Sequence, residues 1–145
     1  MSINNLGFIL FFFLNACVSV SYFESKQAAK ADQQFSNLLL TDVLAAMKNN
    51  FPPAKTKLLY NHSGEALSKA IELELRKAGY ALAAGEKKDE DGQIQFAYLF
   101  DQLDQKKFLL RFVAGENFQA TRVYQTTEDG NVKAVGPLLI RRAEQ

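Results

Sequence analysis

In the stretch Ile94-Gln95-Phe96-Ala97-Tyr98-Leu99-Phe100, every second residue is an isoleucine or an aromatic residue. Successive side chains of a β-strand point to opposite faces of the sheet, so these four large side chains share one face. The pattern predicts a β-strand with one strongly apolar face. Such a face must be buried against other elements of the fold.

The residues after this strand predict an antiparallel β-meander. Turn-forming residues such as Gly115-Glu116-Asn117 and Glu128-Asp129-Gly130-Asn131 separate short segments that alternate in hydrophobicity. The last segment contains Gly136-Pro137, which predicts an edge strand because proline within a sheet is confined to edges and bulges. The predicted strands are Phe108–Phe112, Phe118–Thr126 and Val132–Arg142.

The residues before Ile94 predict two amphipathic helices. From Phe35 to Phe51, apolar residues recur at three- and four-residue spacing, and Pro52-Pro53 ends the helix because proline lacks an amide donor. The second helix is predicted to begin after an N-capping Ser63 and to end at a left-handed Gly79. Short strands are predicted on either side of it, at Lys55–Asn61 and Tyr80–Ala84. The predicted buried positions of the second helix are Leu67, Ala70, Ile71, Leu75 and Ala78.

This order of elements predicts an α+β fold, α-β-α followed by the meander. The two helices are expected to pack on one face of a small, mostly antiparallel sheet.

The composition is typical of a globular domain. Of the 145 residues, 48% are hydrophobic and 23% are charged, and the formal net charge is +1. A net charge this small gives no global field that favours nucleic acid, so no direct nucleic-acid partner is expected. Twelve phenylalanines and no tryptophan indicate that phenylalanine fills much of the core.

An apolar run from Leu6 to Ala16 precedes the single cysteine, Cys17. The run is roughly ten residues long, too short to cross a bilayer as a helix but suited to the apolar region of a signal peptide. Its end, Leu14-Asn15-Ala16-Cys17, resembles the lipobox of bacterial lipoproteins, in which the peptide is cut before the cysteine and the thiol carries the lipid. Asn15 is not the usual small residue, and Met1–Asn5 lacks the positive charge of most signal peptides. The alternatives to a lipoprotein are a plain signal peptide, an uncleaved hydrophobic anchor and a cytosolic protein.

Three segments are therefore predicted. Residues 1–16 are the lipoprotein signal peptide, residues 17–34 are the lipidated Cys17 with a polar tether, and residues 35–145 are a single periplasmic α+β domain. A single cysteine cannot form an internal disulfide, and lipidation accounts for it in an exported protein.

The sequence contains no pattern that predicts catalysis or metal binding. His62 is the only histidine, and no cysteine lies nearby to complete a zinc site. Aligning Gly92 of the acidic turn 89–92 with the invariant glycine of a calcium-binding loop puts Lys87 and Tyr98 at the first and last ligand positions, and neither is a carboxylate. No phosphate-binding loop, dinucleotide fingerprint or nucleophile elbow is present. We expect no catalytic residue, metal or cofactor, and no enzyme.

Four arginines on predicted strands are the candidate partner-binding residues: Arg111, Arg122, Arg141 and Arg142. Arginine is favoured at protein interfaces for its planar, multidentate donors. Arg111 and Arg122 are expected on neighbouring strands, on one face of the sheet. The alternative is an ordinary solvated sheet face.

Four short segments carry recognisable patterns: Phe51-Pro52-Pro53-Ala54-Lys55-Thr56, the Leu-Arg-x-x-Gly-Tyr pattern within Leu75–Ala81, the Tyr-x-x-Asp pattern of Tyr98–Asp101, and Thr121-Arg122-Val123-Tyr124. With these segments the chain resembles the conjugal transfer protein TrbH family. The ending Gly136–Arg142 departs from the usual tail of the family, which carries an aromatic residue before its basic residue.

The resemblance implies a structural lipoprotein of a type IV secretion or conjugative mating-pair formation apparatus, lipid-anchored at the periplasmic face of the outer membrane. Val18, rather than aspartate, follows the cysteine, as is usual for outer-membrane lipoproteins. The implied partners are secretion-system core subunits at the outer membrane. The predicted arrangement of two helices on a small sheet also resembles the ring-building domains of secretins, and this fold analogy implies a ring-shaped oligomer. A stand-alone periplasmic binding or inhibitor lipoprotein and a small enzyme are the alternative functions.

Overall fold

The computed structural model describes residues 25–84 and 92–143 of the chain. The predicted signal peptide, Cys17 and the first part of the tether lie outside these residues, as do Lys87 and positions 89–91 of the acidic turn. Neither helix of the described ranges is long and apolar enough to cross a membrane.

The described residues form two α-helices and seven β-strands. The helices are α1, Gln33–Asn50, and α2, Ala66–Lys77. The strands are β1 Lys26–Gln27, β2 Lys57–Tyr60, β3 Ala81–Ala83, β4 Gln93–Gln102, β5 Lys107–Ala114, β6 Phe118–Thr126 and β7 Val132–Arg142.

The sheet confirms the predicted α+β class. Its strand order is β3-β2-β4-β5-β6-β7, and β1 also pairs with β4. Strands β4 to β7 form the predicted antiparallel meander, whereas β1, β2 and β3 are joined by parallel pairing. The last two strands have the predicted bounds, and β7 is an edge strand of the sheet, as predicted.

Local sequence signals explain both ends of α1. The Asp32 carboxylate accepts a hydrogen bond from the Phe35 N–H at 2.9 Å and caps the first turn. At the other end the Phe51 N–H still donates to the Met47 carbonyl, and Pro52 then interrupts the pattern. A single 3-10 turn, Pro53–Lys55, leads into β2.

The start of α2 differs from the prediction, because Ser63 is not its cap. The N-cap position is Glu65, whose side chain makes no capping hydrogen bond. Gly64 has a φ of +81°, and the Ser63 N–H donates to the buried Ser68 Oγ at 3.1 Å instead. The helix therefore starts at Ala66, later than an N-cap at Ser63 would place it. Gly79, with a φ of +96°, ends the helix as predicted.

The core lies between the helices and one face of the sheet, which we call the inner face. Phe96, Tyr98 and Phe100 of the opening stretch are buried there, against Leu39 and Met47 of α1 and a matching row on α2. Some of the aromatic rings contact one another edge-on, as in the pair Phe35 and Phe108, whose centroids are 4.5 Å apart. The buried row on α2 is Leu67, Ser68, Ile71 and Leu75.

The domain begins earlier than the predicted tether boundary at residue 34. The Ala28 N–H donates to the Phe100 carbonyl at 2.8 Å, next to the β1–β4 pairing, and Ala29 belongs to the core. The Ser25 Oγ accepts a hydrogen bond from the Tyr98 N–H at 3.4 Å. Residues from Ser25 onward are therefore part of the fold.

Candidate partner-binding surface

The strand register divides the four predicted arginines between the two faces of the sheet. Arg111 lies opposite Thr121 and Arg141 opposite Gln119, on the face away from the helices, which we call the outer face. Arg122 and Arg142 lie on the inner face, opposite Leu110 and Phe118 respectively. The expectation that Arg111 and Arg122 share a face is wrong, because the hairpin pairs Arg111 with the residue before Arg122.

Arg122 is bound to α1. Its Nη1 donates to the Asp42 Oδ1 at 2.5 Å, and the Tyr124 hydroxyl donates to the other oxygen of the same carboxylate. The two charged side chains are only 24% and 13% exposed. Burial raises the pKa of Tyr124, and the hydrogen bond to Asp42 raises it further, so the phenol stays protonated as a donor. Arg122 therefore joins β6 to α1 and is not presented to a partner.

Asp42 is not among the residues predicted from the sequence. It lies next to Val43, at the border of the buried stripe of α1, and is only partly exposed. A carboxylate at the border of an apolar stripe indicates a buried partner, but only the fold shows that the partner is 80 residues away.

Arg142 also contacts the helix layer. Its guanidinium donates to the side-chain oxygen of Asn50, the last residue of α1. Of the four arginines, the structure thus places Arg111 and Arg141 on the outer face and brings Arg122 and Arg142 against α1.

The edge strand β7 exposes both backbone and aliphatic side chains. It is 11 residues long and pairs only with β6 among the described strands. The pairing shifts between Thr121 and Val123, where Gly136, with a φ of +76°, and Pro137 form an irregularity. Three of its side chains are well exposed, Val135 at 40%, Leu139 at 64% and Ile140 at 45%. A long edge of this kind is a template for pairing with another strand.

The outer face combines basic and aliphatic side chains in rows across the meander. One row runs Leu99, Arg111, Thr121, Leu139, and the next runs Asp101, Leu109, Val123, Val135. We call these two rows, together with the neighbouring cations Lys26, Lys107, Lys133 and Arg141, the basic outer face. Nearer to β2, the same side of the sheet is not exposed, since Leu59, Ala97 and Val113 are buried.

Nearly all charged residues of the described strands are basic. Asp101 is the only acidic residue in the seven described strands, whereas every strand except β3 and β4 contains lysine or arginine or both. The lowered pKa of Asp104, in the turn after β4, has a local cause, because its carboxylate accepts hydrogen bonds from the Lys106 and Lys107 N–H groups. Acidic side chains of the regular elements otherwise lie on the helices, at Asp42, Glu72 and Glu74.

Among the described residues, His62 contacts Gly64 in the segment before α2 and Glu72 on α2. Its Nδ1 accepts from the Gly64 N–H at 3.2 Å, and its exposed ring lies 3.8 Å from the Glu72 carboxylate. Within 25–84 and 92–143, no group of His, Cys, Asp and Glu side chains could hold a metal ion. In the nearby core, the Tyr60 hydroxyl and the Ser68 Oγ are 2.7 Å apart, and burial raises the pKa of Tyr60.

Comparison with known proteins identifies the family of the chain. The family model described as conjugal transfer protein TrbH matches residues 19–144, which include every described helix and strand. The chain belongs to the TrbH family. This confirms the predicted resemblance and places the chain among conjugal transfer proteins. No curated protein and no solved structure matches this TrbH-family chain.

Proposed function

We propose that this TrbH-family protein is an outer-membrane-anchored lipoprotein and a structural component of a type IV secretion or conjugative transfer machine. Family membership supports a role in conjugal transfer. The likeness of Leu14-Asn15-Ala16-Cys17 to a lipobox supports a lipid on Cys17 and a location at the periplasmic face of the outer membrane.

The β7 edge carries the structural part of the proposal. A strand of 11 residues that pairs on one side only among the described strands, with Leu139 and Ile140 exposed, can add a strand from another subunit. Backbone pairing supplies the contact, and Arg141 beside it can fix the register against an acidic side chain. The partner is a periplasmic core subunit of the machine.

The proposed anchor lies close to the fold. Ser25, the first described residue, is eight positions after Cys17, and a fully extended chain of that length spans roughly 26–29 Å. A lipid on Cys17 would hold the domain within this distance of the bilayer. Its effective concentration near membrane-embedded subunits would rise accordingly.

Lipid attachment can be tested at one position, because the chain has a single cysteine. Cells that produce the wild-type protein should incorporate a clickable fatty acid into it, and the Cys17→Ser protein should stay unlabelled and uncut. Equal labelling of the two proteins would exclude the lipoprotein.

Purification from native donor-cell membranes tests the assembly. The wild-type protein should co-purify with core-channel subunits of the transfer machine. Recovery of the lipidated protein without any of these subunits would instead favour the alternative, a stand-alone periplasmic binding or inhibitor lipoprotein.

A further inference from the structure

We propose that the basic outer face lies on the anionic headgroup layer of a membrane. In this orientation the sheet is parallel to the bilayer, the helices point away from it, and the β7 edge faces sideways toward a subunit on the same membrane. The proposal goes beyond the lipid anchor, because it assigns a second membrane contact to the folded domain itself.

Charge complementarity is the first argument. The outer face carries Lys26, Lys107, Arg111, Lys133 and Arg141, all exposed, against the single carboxylate of Asp101. Lys107 has a partner in Asp104, 3.7 Å away, at the end of the face. Since the whole chain has a net charge of only +1, this excess is specific to one face. Basic residues near a membrane surface are attracted to anionic lipids.

The aliphatic side chains between these cations are the second argument. Leu139 lies in the same row as Arg111 and is 64% exposed, and Val135 in the next row is 40% exposed. Aliphatic groups flanked by arginine and lysine suit the boundary between headgroups and acyl chains, where the long basic side chains extend back to the phosphates.

The same composition disfavours nucleic acid as the occupant. Single-stranded nucleic acid is bound by basic grooves with aromatic rings on which bases stack. The large exposed hydrophobic side chains of the described residues are all aliphatic: Leu73, Leu103, Val135, Leu139 and Ile140. An acidic protein surface is the remaining competitor, and the test below separates it from lipid.

The position of the chain entry is the third argument, and it rests on the proposed lipidation of Cys17. β1 begins at Lys26, whose register with Leu99 places it on the outer face. A lipid attached nine residues earlier would hold this side of the domain close to the bilayer. The charge and exposure of the face do not depend on the lipid.

The test places a single fluorophore on the face. The chain contains no tryptophan, so Leu139→Trp gives a protein with one indole on the outer face. Leu73→Trp is the matched control, since Leu73 is exposed to a similar degree, 53%, but lies on α2 in the helix layer. Each full-length protein, purified from membranes, is reconstituted into vesicles of phosphatidylcholine with phosphatidylglycerol, with bromine on the acyl chains as a quencher.

We expect brominated lipid to quench the indole of the Leu139→Trp protein several-fold more strongly than that of the Leu73→Trp protein. Quenching of the Leu139→Trp protein should also be stronger with phosphatidylglycerol than in phosphatidylcholine alone. Adding Arg111→Gln and Arg141→Gln to this protein should lower the quenching. Adding Lys69→Gln and Lys77→Gln on α2 should not.

Equal quenching of the two single-tryptophan proteins would overturn the inference, as would quenching of the Leu139→Trp protein that is independent of phosphatidylglycerol. If the Leu139→Trp indole is shielded from solvent in complexes purified with subunits of the transfer machine, but is not quenched by brominated lipid, the face binds a protein instead. Vesicle flotation separates the two kinds of failure. If the anchor is wrong, Cys17→Ser does not change the flotation of the Leu139→Trp protein; if this inference is wrong, that protein floats only with Cys17 intact and its indole is not quenched.

Discussion

At the scale of single residues, identical side chains have different roles according to the face they occupy. Arg122 on β6 binds the partly buried Asp42 of α1, which also accepts from Tyr124. Arg111 on the neighbouring strand β5 is exposed on the opposite face. The sequence shows both as arginines on apolar strands, and only the hairpin register, which depends on where the turn is placed, separates them.

Replacing these two arginines separately should therefore have unequal effects on stability. Arg122→Ala leaves the Asp42 carboxylate largely buried without its cation, which we expect to cost about 2–4 kcal/mol of unfolding free energy. Arg111→Ala should change it by less than about 0.5 kcal/mol, as is usual for exposed positions. Urea unfolding followed by circular dichroism measures both. Similar midpoints for the two variants would contradict the described contact.

At the scale of elements, local signals predicted most of the fold. The alternation of Ile94 to Phe100, the apolar spacing and the prolines of α1, and the turn residues of the meander act between near neighbours. They gave α1, β4, β6 and β7 close to their observed bounds. Two features could not be found this way. β1 has only two residues, and the Ala28 and Ala29 N–H groups after it donate hydrogen bonds to the distant Phe100 carbonyl. The segment before α2 donates a hydrogen bond from the Ser63 N–H to the buried Ser68.

The buried row of α2 can be tested by comparing two of its apolar residues. Ile71 is 1% exposed, whereas Leu73, two residues later, is 53% exposed. Ile71→Ala should cost about 2–5 kcal/mol, because it removes core methyl groups and leaves a cavity. Leu73→Ala should cost less than about 0.5 kcal/mol. Chemical denaturation of both variants gives the comparison, and a larger loss for Leu73→Ala would mean that α2 packs through the other face.

At the scale of the whole molecule, the helices and the outer face of the sheet differ in their balance of charge. The helices carry both acidic and basic side chains, whereas the outer face carries five exposed cations and one carboxylate, and the β7 edge borders this face. No position in the sequence reveals this difference, because the strands that contribute the cations are far apart in the chain. The sequence did predict the edge, since Pro137 limits where its strand can lie.

The division of the arginines between the two faces of the sheet also determines which of them can contact a partner. Arg111 and Arg141 lie on a surface that can meet another molecule, while charge reversal at Arg122 would place a second carboxylate beside Asp42 and disturb the fold. A test of assembly must therefore use the edge and the outer face and leave Arg122 intact.

The most direct test of the central claim, that this protein acts in conjugal transfer through the β7 edge, is the mating frequency of donor cells that carry edge variants. Ile140→Lys with Arg141→Glu places charges on the edge that oppose strand pairing. Leu73→Lys with Lys69→Glu makes the same kinds of change on α2. We expect the edge variant to reach the membrane at the wild-type level but to lower transfer substantially, because strand pairing at the edge is lost. The α2 variant should transfer like the wild type. Wild-type transfer by a stably produced edge variant would contradict the account.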